Sequence, residues 1–206
     1  MMINNIIDYL DSLYPNPVCE LKYNKDYELL IAIVMSAQTT DKRVNMVNEI
    51  LFSKYDSLEK LYSASIEDIE DIIRPIGTYR KKSIFIKEIA SRLISDGIKI
   101  IPNDRGYLES LPGVGRKTTN VILGLLYDVP TMPVDTHVNR VAKRLQISNI
   151  EDDINKTEQK LMKFFPIDTW NRVHHQLVLF GRYHCKSIKP SCDYCPFKSV
   201  CKKDYK

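Results

Sequence analysis

Apolar residues recur every three or four positions along most of the 206-residue chain, the spacing of one helical face. Ile6, Ile7, Leu10 and Leu13 predict a first helix, stopped by Tyr14-Pro15-Asn16-Pro17. Tyr27 to Ala37 is apolar on nearly every side, which predicts a central, buried helix. Residues 41–55 predict a third. Ser65 and Asp68 have the spacing of a capping box at the start of a fourth. Arg74-Pro75-Ile76-Gly77 breaks the chain. The next helix runs from about Lys81 to Asp96, where Gly97 offers a left-handed C-cap. A short helix capped by Asn103 follows. The stretch LPGVGRKTTNVIL, 111–123, then sets Pro112, Gly113 and Gly115 ahead of a helix reaching about Tyr127. Val138, Val141, Ala142 and Leu145 hold i, i+3, i+4, i+7 spacing, and two more helices are predicted within 153–165 and 169–182. Sustained period-two alternation is absent, so the predicted fold class is all-α, built of many short helices.

Composition narrows the class. At 44% hydrophobic and 27% charged residues the chain reads as globular. Its most apolar run, residues 29–37, is too short to span a bilayer, and the N-terminus lacks the basic and apolar blocks of a signal peptide. A cytoplasmic protein with no membrane partner is expected. The net charge of +4 is small but polarised. Arg182, Lys186, Lys189, Lys198, Lys202, Lys203 and Lys206 face only Asp193 and Asp204 in the tail, and Arg80, Lys81 and Lys82 form a second basic cluster. Such a distribution suits one face turned toward a polyanion.

Four of the five cysteines, Cys185, Cys192, Cys195 and Cys201, follow C-x6-C-x2-C-x5-C. Four thiolates in one short basic loop can wrap a single ion or a cluster. Structural zinc and iron–sulfur centres both use four cysteines, and the spacing leaves the two open. Cys19 stands alone and reads as a small buried hydrophobe.

The glycine turn raises a different question. Main-chain N–H groups at a helix start form an anion-binding nest, although a tight turn with no ligand explains the same glycines. Lys117 follows in the first helical turn, where the macrodipole disfavours a cation. The dipole end together with partial burial would lower its pKa, and a neutral amine is a nucleophile. Asp135 is predicted to cap the helix after it while keeping one oxygen available. His174 and His175 read as structural.

Those residues carry a family resemblance. LPGVGRKTTNVIL resembles the helix-hairpin-helix of the endonuclease III DNA glycosylases, and VDTHVNRV, 134–141, resembles the segment holding that family's aspartate. LLIAIVMSAQTTD, 29–41, is similar to its second-helix motif, and the cysteine spacing looks like its [4Fe–4S] loop. The resemblance implies a two-lobed, all-α helix-hairpin-helix glycosylase fold. One lobe would cover 21–128, with the hairpin at about 104–127. The other would join 1–20 to 129–206 and carry the cluster loop 185–201, with DNA in the cleft between them.

The implied activity is base-excision repair: release of oxidised pyrimidines from duplex DNA, then cleavage 3′ to the abasic site by β-elimination. The implied form is a monomer, nucleoid-associated in the cytoplasm, with one [4Fe–4S] cluster on the four cysteines. Lys117 would form the Schiff base and Asp135 would be the essential carboxylate. Gln38 would fill the vacated hole. Leu111, Gly113, Val114, Gly115, Arg116 and His137 would meet DNA, and Asp41 and Glu109 would flank the base pocket. Thr78 stands where a leucine wedge is expected. Its hydroxyl unstacks bases less well, so Tyr79 or His137 would carry more of the wedging, or lesion preference would differ. Lys117 argues against the monofunctional relatives. Lys117 with Asp135 argues against a non-catalytic iron–sulfur protein.

Overall fold

Helix α1 (Met2–Leu13) opens the computed structural model, which describes residues 2–202 and side chains from residue 5 onward. Lys203, Asp204 and Lys206 of the basic tail lie outside the described residues. The chain divides into two compact units, Cys19–Tyr127 and Met1–Val18 with Asp128–Lys206.

The continuous unit holds α2 (Asp26–Ser36), α3 (Asp41–Lys54), α4 (Leu58–Ser63), α5 (Ile66–Ile73), α6 (Tyr79–Ser95), α7 (Arg105–Ser110) and α8 (Arg116–Tyr127). The reading of α2 as central holds. Tyr27 through Met35 are all buried, and the helix packs against α3, α6 and α8. Its surroundings take apolar side chains from every direction, which is why no polar stripe appears in its sequence.

Local chemistry sets the helix ends. Thr40, Ser57 and Ser65 each accept a main-chain N–H as N-caps of α3, α4 and α5. The capping box expected at Ser65 is one-sided. Asp68 does not reach back; its carboxylate accepts from the Tyr55 hydroxyl at 2.7 Å and pairs with Lys54 at 2.8 Å. The end of α3 offers it a better pair of donors. Asp104, not Asn103, caps α7, accepting the Tyr107 N–H at 3.0 Å. Gly97 does terminate α6 in the left-handed region (φ +65°), with Ile98 N–H donating to Leu93 O at 2.8 Å.

The discontinuous unit adds α9 (Thr136–Arg144), α10 (Ile154–Phe164), a 3-10 turn at Ile167–Thr169 and α11 (Trp170–Tyr183). Its core joins Ile6 and Leu10 of α1 to Val138, Val141, Ala142 and Leu145 in and just after α9, Leu161 of α10, and Leu177 and Phe180 of α11. Phe197 brings the cysteine loop onto the same core. Helix α11 approaches α9 closely because Gly181 has no side chain. A Cβ there would lie 2.8 Å from the His137 Cβ and 3.2 Å from its carbonyl oxygen. Asp152 lies just before α10 with no exposed side-chain surface, pairs with Lys156 and Lys160, and accepts the Asn149 N–H at 2.7 Å. Among the described residues no helix is long and apolar enough to cross a membrane.

Candidate nucleic-acid interface and cysteine site

In the continuous unit, α7, a tight turn and α8 form a helical hairpin. Leu111 and Val114 are buried and anchor the turn, whose Val114 N–H donates to Leu111 O at 3.1 Å. The two glycines divide in role. Gly113 is left-handed at φ +75°, and a Cβ on it would fall 2.6 Å from Cδ2 of Phe85. It is required by the protein itself. Gly115 has no positive φ, and a Cβ there would meet nothing within 4 Å. Of the two glycines only Gly113 therefore uses the left-handed region that glycine allows. Gly115 O accepts the Thr119 N–H at 3.0 Å, so Gly115 begins α8 with a bare main chain.

Arg116 and Lys117 follow, both exposed, and the first turn of α8 has no acidic residue. Among the described residues Lys117 makes no salt bridge or side-chain hydrogen bond. The expected partial burial of Lys117 is not found; its place at the helix N-terminus is. Arg105 braces the hairpin, donating to Asn120 Oδ1 at 2.7 Å and pairing with Glu109 at 3.0 Å. Glu109 is thus engaged by an arginine one helical turn before it.

Two other turns of this unit present the residues expected at the DNA. Gln38, after α2, is exposed with φ +56°. Thr78, the N-cap of α6, is exposed with φ +55°, and its hydroxyl donates to Gly77 O at 2.7 Å. Left-handed backbone at a non-glycine residue costs about 1–3 kcal/mol and clusters at functional sites. Asp41 is the first residue of α3, where a carboxylate suits the helix dipole. Two guanidinium groups approach the Tyr79 ring, Arg80 at 5.3 Å and Arg74 at 5.6 Å from its centre.

The sequence reading of Arg80, Lys81 and Lys82 as one basic surface cluster fails at Lys82. That residue is only 3% exposed and faces α2. Burial draws its pKa down.

In the discontinuous unit, Asp135 is the N-cap of α9, its Oδ1 accepting the Val138 N–H at 2.7 Å. His137 is half-buried in the α9–α11 seam, with Nδ1 3.2 Å from Arg140 Nη2. Arg140 also donates to Gly181 O at 2.7 Å and Cys185 O at 3.2 Å, linking the start of α9 to the cysteine loop. His174 is buried beside His175 (ring centres 4.9 Å apart), as a structural pair.

Cys185, Cys192, Cys195 and Cys201 line one cavity of about 230 Å³. Lys198 and the buried Arg144 share its wall. Arg144 donates to Cys185 Sγ at 3.3 Å and to Lys186 O at 2.7 Å. Burial, then the neighbouring cysteines, push the Cys195 and Cys201 thiols up. Among the described residues no three Cys, His, Asp or Glu side chains form a group that could hold a metal ion. Cys19 is half-buried, more open than expected.

Residues 31–167 match the HhH-GPD superfamily of base excision DNA repair proteins, and the hairpin at Arg105–Tyr127 lies inside that span. The class is thus a helix-hairpin-helix DNA repair protein. The chain is 40% identical over 200 residues to endonuclease III of Bacillus subtilis strain 168, covering 97% of this chain and 91% of that one. It is 37% identical over 187 residues to endonuclease III of Escherichia coli strain K12, covering 91% and 88%. The solved structure of a trapped endonuclease III–DNA covalent intermediate superposes with a TM-score of 0.93 at 41% identity, over 98% and 95% of the two chains. The chain belongs to the endonuclease III family, base-excision-repair enzymes that are both DNA glycosylases and abasic-site lyases.

Proposed function

We propose that the chain releases oxidised pyrimidines from duplex DNA and cuts the strand 3′ to the resulting site. The observation that carries this reading is Lys117, an unpaired, exposed amine one residue past the first residue of α8. A structural lysine gains nothing at a helix N-terminus. A nucleophile gains access there. The damaged nucleotide leaves the stack before it can react, at a cost in stacking energy. The Lys117 nitrogen attacks the sugar C1′ through its lone pair and the glycosidic bond breaks, its electron pair leaving with the base. The nitrogen then loses one proton, its lone pair breaks the C1′–O4′ bond, O4′ takes up a proton, and the product is a protonated Schiff base. Removal of a C2′ proton expels the 3′ phosphate oxygen and breaks the C3′–O bond. Asp135 stabilises the positive charge that develops on the sugar and assists the proton transfers. Its N-cap bond holds the carboxylate by one oxygen and leaves the other for that work.

The hairpin grips the backbone. Gly113, Gly115 and Arg116 offer main-chain N–H groups and a cation to phosphate, which suits binding without sequence preference. Nothing in the protein excludes a side chain at Gly115, so its absence is explained by a phosphate lying there. Leu111 and Val114 anchor the turn from beneath. Gln38 fills the space left by the extruded nucleotide, His137 meets the DNA, and Asp41 and Glu109 flank the base. Thr78, in place of an apolar wedge, narrows the lesions that the enzyme opens unaided.

The four cysteines fit a [4Fe–4S] cluster. A zinc ion would draw all four sulfurs to about 2.3 Å from one point. Thiols spread around a cavity of about 230 Å³ suit a larger body. Arg144 and Lys198 offset the negative charge of a tetrathiolate cluster. When bound, the cluster supplies a covalent cross-link for a loop that otherwise has a single buried apolar residue, Phe197. The enzyme works as a monomer on chromosomal DNA in the cytoplasm.

Borohydride reduction in the presence of abasic DNA tests the central claim. The native protein should be trapped on DNA, and Lys117→Gln should not. No adduct with the native protein would sink the proposal. Iron and acid-labile sulfide in equal amounts support the cluster, and zinc would refute it.

A further inference from the structure

Lys82 has no role in the chemistry above, yet its environment is unusual. Its ammonium donates to Ala37 O at 2.7 Å, Met35 O at 2.9 Å and Thr39 Oγ1 at 3.2 Å, which uses all three protons. Among the described residues no carboxylate pairs with it. The charge rests on carbonyl groups at the C-terminal end of α2, where the helix dipole is negative. Capping those carbonyls needs no charge; a glycine or water does it in most helices. Burying an ammonium for that purpose alone is expensive.

What the ammonium joins explains it. The carbonyls of Met35 and Ala37 and the Thr39 hydroxyl bracket Gln38, whose backbone is left-handed. The main-chain N–H of Lys82 donates to Thr78 O at 3.1 Å, and Thr78 is left-handed too. The two turns touch: a Cβ on Gly77 would lie 3.7 Å from Gln38 O and 4.0 Å from Thr39 Oγ1. Lys82 therefore reaches both strained turns: the Gln38 turn through its ammonium, and the Thr78 turn through the first main-chain bonds of α6, in which Lys81 N–H also donates to Thr78 O at 3.1 Å.

We infer that Lys82 is a positioning residue whose ammonium locks the Gln38 and Thr78 turns together, so that both side chains enter the duplex from one preorganised edge. The inference rests on the proposed repair function. It accounts for two exposed non-glycine residues persisting in a backbone region that costs energy, and for a buried charge with no counter-ion. It also compensates for Thr78: a weak wedge works best when it does not have to be ordered on contact.

The test compares native enzyme with Lys82→Met and with the milder Thr39→Val, which removes one of the three acceptors. Without DNA, amide hydrogen exchange at 37–39 and 77–78 should speed up in both variants, while 111–120 of the hairpin stays protected. Excision from a lesion-bearing duplex should fall about 10- to 100-fold in Lys82→Met, and less in Thr39→Val. Lyase activity on a single-stranded abasic oligonucleotide, which has no hole to fill, should stay within about twofold. The fluorescence of a 2-aminopurine placed opposite the lesion should report less complete opening. If Lys82→Met fails to fold, Thr39→Val decides by the same measurements. Unchanged exchange, or equal loss on duplex and single strand, overturns the inference. A native enzyme that neither excises nor traps overturns the functional reading and the inference together, whereas full native activity with unaffected variants overturns the inference alone.

Discussion

The ring of Phe85 on α6 lies directly beneath Gly113 of the hairpin, so close that a Cβ at 113 would sit 2.6 Å from one ring carbon and 2.9 Å from the next. Space and backbone conformation both demand glycine there. Gly113→Ala should destabilise the protein by about 2–5 kcal/mol, combining left-handed strain with overpacking. Urea unfolding measures it. In a Phe85→Leu background the cost should drop toward the strain alone, about 1–2 kcal/mol. An equal cost in both backgrounds would show that the ring is not what excludes the methyl group.

Gly115 predicts the opposite behaviour two residues away. No protein atom lies within 4 Å of where its Cβ would be. Gly115→Ala should therefore cost about 1 kcal/mol or less, the difference between glycine and alanine at a helix N-cap. Its affinity for duplex DNA should nevertheless fall about tenfold, because the methyl group stands where phosphate approaches. Binding isotherms at two salt concentrations check this. Unaltered affinity would mean that phosphate does not lie against this residue.

Asp135 allows fold and chemistry to be separated at one side chain. Asn is as good an N-cap as Asp, whereas Ala loses the bond to Val138 N–H and about 1 kcal/mol. Asp135→Asn should thus keep native stability and Asp135→Ala should not. Both should lose about 100-fold or more in excision, since neither carries the charge. An active Asp135→Asn enzyme would remove the carboxylate from the mechanism.

Legibility of the chain followed the range of the forces involved. The α9 face, the α2 core and the Gly97 cap are local patterns, and the structure has them where periodicity put them. Lys82 was misread because its neighbours Arg80 and Lys81 share its chemistry, while only the packing of α6 on α2 turns it inward. The Asp68 carboxylate was drawn away from its cap by partners thirteen and fourteen residues earlier in the chain. The burial expected at Lys117 also depended on tertiary surroundings, and there they are open. The four cysteines were legible as a set, but their spacing left an ion and a cluster open; the family resemblance favoured the cluster, and only the folded loop shows the four lining one cavity.

Gly181 was invisible for the same reason. A glycine near the end of an apolar helix carries no local signature, and its role appears only where α11 meets the backbone of His137. Gly181→Ala should push α9 away and cost about 1–3 kcal/mol, read from thermal or urea unfolding. Because Asp135 starts α9, excision should fall further than the loss of folded protein accounts for. A fully active Gly181→Ala enzyme would mean that the seam relaxes without moving the carboxylate.

Asp152 supplies a pH signature. Its carboxyl is pushed down to about 2, chiefly by Lys160, then by the Asn149 N–H and Lys156 against the opposing effect of burial. An unfolded aspartate titrates near about 3.9. The folded state thus binds the proton less readily than the unfolded state. The stabilisation is fully present above about pH 4 and is lost as pH falls through about 2. Asp152→Asn should be less stable than the native enzyme at neutral pH, because an amide keeps no attraction for two ammonium groups. The gap between their urea midpoints should narrow from about pH 5 downward and be smallest near pH 2. An acid-sensitive metal cluster would lower both midpoints together, so the difference isolates Asp152. A gap that stays constant across this range would show that the carboxylate acts by shape and hydrogen bonding alone.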